Sequence, residues 1–151
     1  MAQELDSIRG RKLIKKTGDH LQTIIPLITL VVILWRVPDL TLAFVVSWAI
    51  NMLVTHGTKY AVFRRRPTGG FLSFPSGHTA SAVHGAAFML FHVSVSMAIP
   101  LLLAAAFVGA SRLITNKHYV SDVLAGAMIG LSTALCVIWI FDLPALFTGR
   151  L

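Results

Sequence analysis

Long apolar stretches, nearly free of charge, recur through the 151-residue chain and leave it few ways to fold. They cover residues 21–35, 40–54 with a continuation toward 63, 76–92, 97–113 and 118–140. With 56% hydrophobic residues and a mean hydropathy of +0.77, the composition lies well above that of a soluble globular domain. In lipid, unpaired backbone groups find no partner, so such stretches must become helices that satisfy themselves. The expected fold is therefore all-α, an integral membrane helical bundle of about five transmembrane helices. Pro67–Pro75, with Gly69 and Gly70, reads as a loop between the second and third helices. Pro100 is expected in the first turn of the fourth, where its missing N–H matters least.

The first twenty residues differ in kind. Arg9, Arg11, Lys12, Lys15 and Lys16 alternate with Leu5, Ile8, Leu13 and Ile14, a pattern suited to a basic helix lying on anionic headgroups. Residues 1–20 are thus expected as an interfacial segment and 21–151 as the membrane domain, with 142–151 forming a short interfacial tail. No cleavable signal peptide is expected, because Arg36 and Asp39 rather than small residues flank the first apolar stretch.

Only 13% of residues are charged, yet the net charge is +7, because carboxylates are scarce. Between Asp39 and Asp122 there is no Asp or Glu, whereas Lys59, Arg64, Arg65, Arg66, Arg112 and Lys117 all fall there. Such a field favours anions, and it also fits the positive-inside bias of membrane proteins. Nucleic acid is not an expected partner, since the cations sit beside apolar spans instead of on an open polar face. The single cysteine, Cys136, reads as a small core residue, and Trp35, Trp48 and Trp139 as interfacial or packed. Small residues crowd the last three helices, among them Gly85, Ala86, Gly109, Ala110, Gly126 and Gly130, which marks those helices as the close-packed core.

Polar groups gather at three places, each at an expected membrane boundary. Lys59 and Arg66 are seven residues apart, two helical turns, so both cations can share a face and clamp a phosphate before Pro67 ends the helix. Arg64 and Arg65 point elsewhere and read as headgroup contacts. In Pro75-Ser76-Gly77-His78, Ser76 is a natural N-cap and Gly77 lets an anion approach the free N–H groups of a helix start. Taken alone, that run is an ordinary cap with an interfacial histidine. Ser111-Arg112 is followed by His118 and Asp122, four apart on an expected helix. There the carboxylate can hold one imidazole nitrogen and leave the other free to attack. A carboxylate beside a bilayer is costly, so a functional partner is its default reading.

Together these read Lys-x6-Arg-Pro, Pro-Ser-Gly-His and Ser-Arg-x5-His-x3-Asp, with every defining position filled. In this the chain resembles the type 2 phosphatidic acid phosphatase (PAP2) superfamily, which also includes vanadium haloperoxidases and soluble bacterial acid phosphatases. The resemblance covers residues 59–122 and implies a PAP2/haloperoxidase-like core. It implies that Lys59, Arg66 and Arg112, with Ser76 and the Gly77 amide, hold the phosphoryl oxygens. His118 would attack phosphorus, Asp122 would fix its tautomer, and His78 would protonate the leaving alkoxide and then activate water.

No metal or other cofactor is implied, since the cations do that work. The implied partner is a lipid phosphate in the membrane: phosphatidic acid, phosphatidylglycerol phosphate, a polyprenyl phosphate or diphosphate, or lipid A. Almost no extramembrane mass is available to cover a soluble substrate. The implied location is a bacterial cytoplasmic (inner) membrane. A lipid phosphotransferase of the same superfamily and a catalytically idle protein that binds anionic lipid are the rival readings. Compared with larger members, which carry six spans and extended loops, this chain is short, and either membrane face is compatible with its site. Analogy with bacterial relatives that act on envelope lipids favours the outward face. His20, His56, His84 and His92 fit no metal-ligand spacing and read as packed or boundary residues, His56 being three residues from Lys59 on the same helix.

Overall fold

Every apolar stretch closes its own backbone hydrogen bonds as a helix. The computed structural model describes the backbone of residues 2–140 and the side chains of residues 8–137. It comprises α1 (Ala2–Arg36), a 3-10 turn (Pro38–Leu40), α2 (Thr41–Val62), α3 (Gly77–His92), α4 (Val95–Ile114) and α5 (Val120–Ile140). The expected all-helical bundle is what the chain forms, with five helices where about five transmembrane ones are expected. Four of them are long and apolar enough to cross a membrane, over Ile8–Arg36, Pro38–Val62, Val95–Ile114 and Val120–Val137.

The fifth, α3, has only 16 residues and occupies the centre, packed against each of the other four. Ala80, Ala82, Ala86, Ala87, Phe88 and Met89 are wholly buried along it. Small residues make this possible. A Cβ on Gly130 of α5 would stand 2.5 Å from the Ala80 carbonyl oxygen and 2.8 Å from the His84 nitrogen, so the α3 and α5 backbones meet where only glycine fits. Gly85 does the same for α1, where a Cβ would lie 2.8 Å from the Pro26 Cα, and Thr29 Oγ1 donates to the Gly85 carbonyl at 2.9 Å.

The last three helices are the expected core, and α3 does pack most extensively on α5 and α4, but α1 joins them. α4 and α5 flank α3 and barely touch each other, while α1 packs on both α3 and α4. Ala106 and Ala110 face outward, and Cys136 is exposed on α5 instead of buried. The small volume of these residues serves one face of each helix, and their count along the sequence does not say which.

Element ends also moved. α1 runs unbroken through residue 20, where the sequence reading divides an interfacial segment from the membrane domain. α4 begins at Val95 because the Ser94 side chain caps it, accepting from the Met97 N–H at 3.4 Å, so Pro100 falls in the second turn. The tail 142–151 lies outside the described residues, as do the side-chain surroundings of Trp139.

Successive helices alternate in direction. The C-terminal ends of α2 and α4 therefore share one end of the bundle with the N-terminal ends of α3 and α5, and the three polar clusters of the sequence meet there. α2 turns a polar stripe inward along its length, Ser47, Asn51, Thr55 and Lys59, each four residues from the next and all buried. Lipid would offer these groups nothing, which fixes the face α2 presents to the bundle. His84 of α3 meets the stripe through a 2.9 Å hydrogen bond with Ser47 Oγ. That is the packed role expected of it.

Candidate active site

Lys59 lies in the last turn of α2, and Phe63 in the left-handed region ends that helix at once. Arg66 is thus on a loop, and the expected shared helical face does not exist. The two cations converge because the chain doubles back. The Arg66 N–H donates to the Gly70 carbonyl at 2.6 Å, the Gly69 N–H donates to the Arg66 carbonyl at 2.9 Å, and Gly69 supplies the φ of +93° this turn needs. Lys59 Nζ donates to the carbonyls of Leu72 at 3.1 Å and Pro75 at 2.5 Å, leaving one of its three N–H donors free among the described residues. Arg66 Nε is buried with no hydrogen-bond partner among the described residues. Both side chains line one cavity of about 320 Å3 together with Gly77, His78 and His118.

Ser76 caps α3 as expected, its Oγ accepting from the Thr79 N–H at 3.4 Å and pairing with Thr79 Oγ1 at 2.9 Å. Its own N–H donates to the Asp122 carbonyl at 2.8 Å, and a Cβ on Gly126 would strike the Ser76 carbonyl oxygen, so the starts of α3 and α5 are locked together. The Ser76 side chain is fully buried in this cap and does not line the cavity; Gly77 and His78 do.

His118 and Asp122 do not share a helix, because α5 starts at Val120 and His118 belongs to the preceding link. The Asp122 side chain still reaches it, with Oδ2 3.5 Å from His118 Nδ1, close but longer than a hydrogen bond. The carboxylate is otherwise fully engaged. Oδ1 accepts from Arg64 Nη1 at 2.9 Å, and Oδ2 accepts from Ser73 Oγ at 2.5 Å and from the Tyr119 N–H at 2.9 Å. Arg64 is therefore not a headgroup contact. It donates also to Ser121 Oγ at 2.8 Å and lies over the Tyr119 ring at 4.3 Å. Arg65, whose Nε donates to the Gly69 carbonyl at 3.1 Å, is exposed as expected.

Burial, reinforced by the charges of Lys59 and Arg66 and opposed by Asp122, pushes the His118 imidazole down to about 4. A neutral ring keeps its lone pair at physiological pH, and Asp122 beside Nδ1 leaves Nε2 as the nitrogen available to an electrophile.

Arg112 sits where α4 ends, but it turns toward α1 and does not line the cavity. Nη1 donates to Asp19 Oδ1 at 2.6 Å, Nη2 to the Lys15 carbonyl at 3.0 Å and Nε to Ser111 Oγ at 3.0 Å. His78 Nε2 reaches the same Asp19 oxygen at 3.1 Å. Asp19 does not stand out in the sequence, and Arg64 reads there only as a headgroup contact. The one signal for Asp19 is its place beside Gly18 at the border of the first apolar stretch.

The polar cavity also opens sideways. Thr23, Trp48 and Ser81 line it and equally line a second cavity of about 320 Å3 between α1 and α2, walled by Pro26, Leu27, Leu30, Phe44 and Val45. A chamber lined by charged and polar side chains thus adjoins an apolar crevice between α1 and α2.

Comparison with known proteins agrees with this architecture. The profile of the PAP2 superfamily matches residues 68–144, just over half of the chain. A lipid A 1-phosphatase of Porphyromonas gingivalis is 39% identical over 108 residues, which is 65% of this chain and 24% of that protein. Lipid phosphate phosphatase 2 of Arabidopsis thaliana is 36% identical over 90 residues, 50% of this chain and 31% of the relative. The chain spans about a quarter to a third of the length of these curated relatives. Among solved structures, LpxE of Aquifex aeolicus superposes with a TM-score of 0.75 at 18% identity, over 85% of each chain, a likeness of fold. A transmembrane PAP2-type phosphatidylglycerolphosphate phosphatase of Bacillus subtilis superposes with a TM-score of 0.68 at 25% identity, over 90% of this chain and 77% of that one. Fold, apolar spans and profile agree that this integral membrane protein belongs to the PAP2 superfamily.

Proposed function

We propose that the chain is a lipid phosphatase that hydrolyses a phosphomonoester or diphosphate on a lipid through a phosphohistidine at His118. The observation that carries this reading is the pair of adjoining cavities that share Thr23, Trp48 and Ser81. Lys59, Arg66, Gly77, His78 and His118 surround a polar chamber, and its apolar continuation between α1 and α2 suits an acyl or prenyl tail.

A phosphoryl group in the chamber takes the free Lys59 N–H, the unpaired Arg66 Nε and the main-chain N–H groups at the start of α3. Arg112 keeps two further N–H donors beyond its three protein bonds. In this reading Ser76 serves the phosphate indirectly, by holding Gly77 in place. His118 Nε2 forms the N–P bond as the P–O bond to the lipid breaks, and His78 protonates the departing oxygen. Water then attacks phosphorus, gives its proton to His78, and releases inorganic phosphate with His118 restored.

The matching relatives act, by their names, on lipid A, on lipid phosphates and on phosphatidylglycerol phosphate, and these are the substrates to try first. A bacterial cytoplasmic membrane is the proposed location. There the basic turns at the start of α1, which lie at the same end of the bundle as the site, rest among anionic headgroups.

The test is phosphate release from a panel of these lipids by purified protein in detergent with chelator present. Release that vanadate blocks is expected. Turnover insensitive to vanadate contradicts a phosphohistidine route.

A further inference from the structure

Asp19 comes from the part of the chain that reads as a surface segment, yet it reaches the heart of the site. Its Oδ1 accepts from Arg112 Nη1 at 2.6 Å and lies 3.1 Å from His78 Nε2. The approach is built, not incidental. A Cβ on Gly18 would collide with Ser111 Oγ and the Arg112 guanidinium, so only glycine lets α1 come this close. One turn earlier the Lys15 carbonyl accepts from Arg112 Nη2 at 3.0 Å, and one turn later Ser81 Oγ donates to the Gln22 carbonyl at 3.1 Å.

We propose that Asp19 is the positioning residue of His78, so that the site holds two carboxylate–histidine pairs: Asp122 with His118, and Asp19 with His78. The proposal rests on the reading of His78 as proton donor to the leaving group. The charged groups facing His78 are Arg112 from α4, Lys59 from α2 and Asp19 from α1. Burial does most to push the His78 imidazole down, to about 4, and the charges of Arg112 and Lys59 push the same way; Asp19 alone favours the positive ring, through its charge and its bond to Nε2.

The geometry also assigns the ring nitrogens. Nε2–H is held on Asp19, which leaves Nδ1 for the substrate. When the N–P bond forms at His118, the electron pair of the breaking P–O bond goes to the lipid oxygen, which takes the Nδ1 proton. His78 is left neutral, with Nε2–H still on Asp19. When water attacks, its proton returns to Nδ1, the N–P bond breaks, and the pair is reset. A carboxylate serving only as counterion to Arg112 would leave His78 untouched.

Two measurements on the full-length protein in detergent separate these roles. Asp19→Asn keeps an acceptor for Arg112 but removes the charge. It is expected to lower kcat on an alkyl lipid phosphate about 30-fold or more, while p-nitrophenyl phosphate, whose leaving group needs little protonation, loses less than about threefold. Adding Asp19→Asn to His78→Ala is expected to cause no further loss, and Asp19→Glu to restore the alkyl rate in part. Equal losses on both substrates, or losses that add to those of His78→Ala, overturn the proposal.

The second measurement needs no turnover. In 15N-histidine spectra, the signal absent from His78→Ala is expected to titrate about one pH unit lower in Asp19→Asn than in wild type. An unchanged midpoint overturns the pairing. If the wild type hydrolyses neither substrate, the phosphatase reading falls, and the titration alone decides whether Asp19 and His78 are paired.

Discussion

Arg64 acts, in the proposed mechanism, on the nucleophile through Asp122 and does not itself line the cavity. It supplies Asp122 Oδ1 with its only hydrogen bond among the described residues, and Asp122 sets the environment of the His118 ring. Arg64→Ala is expected to lower kcat about tenfold with KM little changed, whereas the exposed Arg65→Ala leaves both unaltered, as steady-state kinetics on one lipid phosphate will show. The sequence motifs pointed to Lys59, Arg66, Gly77, His78 and His118, and the structure brings these five to one cavity. The geometry behind them was not legible. Lys59 and Arg66 meet through a doubled-back loop, and His118 precedes its helix instead of lying on it. Arg64 and Asp19 stayed hidden because their partners are 58 and 59 or more residues away, a separation that no local periodicity encodes.

At the scale of the element, apolar stretches located every helix, and Ser76 starts α3 as expected, whereas the Ser94 cap that starts α4 was not read from the sequence. What the pattern lacked was the choice of neighbour. Gly109, Gly126 and Gly130 all read as packing residues, but only the folded chain shows α5 pressed onto α3 and scarcely onto α4. The continuity of α1 through residue 20 was equally illegible, since a polar half followed by an apolar half looks like two segments. Two glycines test the packing. Gly130→Ala forces the backbones of α3 and α5 apart and is expected to cost about 1–3 kcal/mol, lowering the thermal midpoint in detergent by several degrees. Gly57→Ala, on an open face of α2 with nothing within 4 Å, is expected to hold or raise that midpoint. Equal effects would contradict the close α3–α5 contact.

For the whole molecule, the direction alternation of five helices decides what the site can serve. It gathers four helix ends and a loop at one end of the bundle and leaves an apolar crevice between α1 and α2. Under the proposed function, a substrate with its tail in this crevice presents its phosphate to the chamber without leaving the membrane. Filling the crevice with Leu30→Trp is expected to raise KM for a long-chain lipid phosphate about tenfold while p-nitrophenyl phosphate turns over as before. A loss on both substrates would place the tail elsewhere.

The central claim is that His118 carries the phosphoryl group, and a quench into alkali followed by mass spectrometry addresses it directly. Wild-type protein mixed with a lipid phosphate, with chelator present, is expected to yield a peptide phosphorylated on His118, and His118→Ala to yield neither that peptide nor free phosphate. Steady phosphate release by His118→Ala, or wild-type turnover with the label on another side chain, would contradict it.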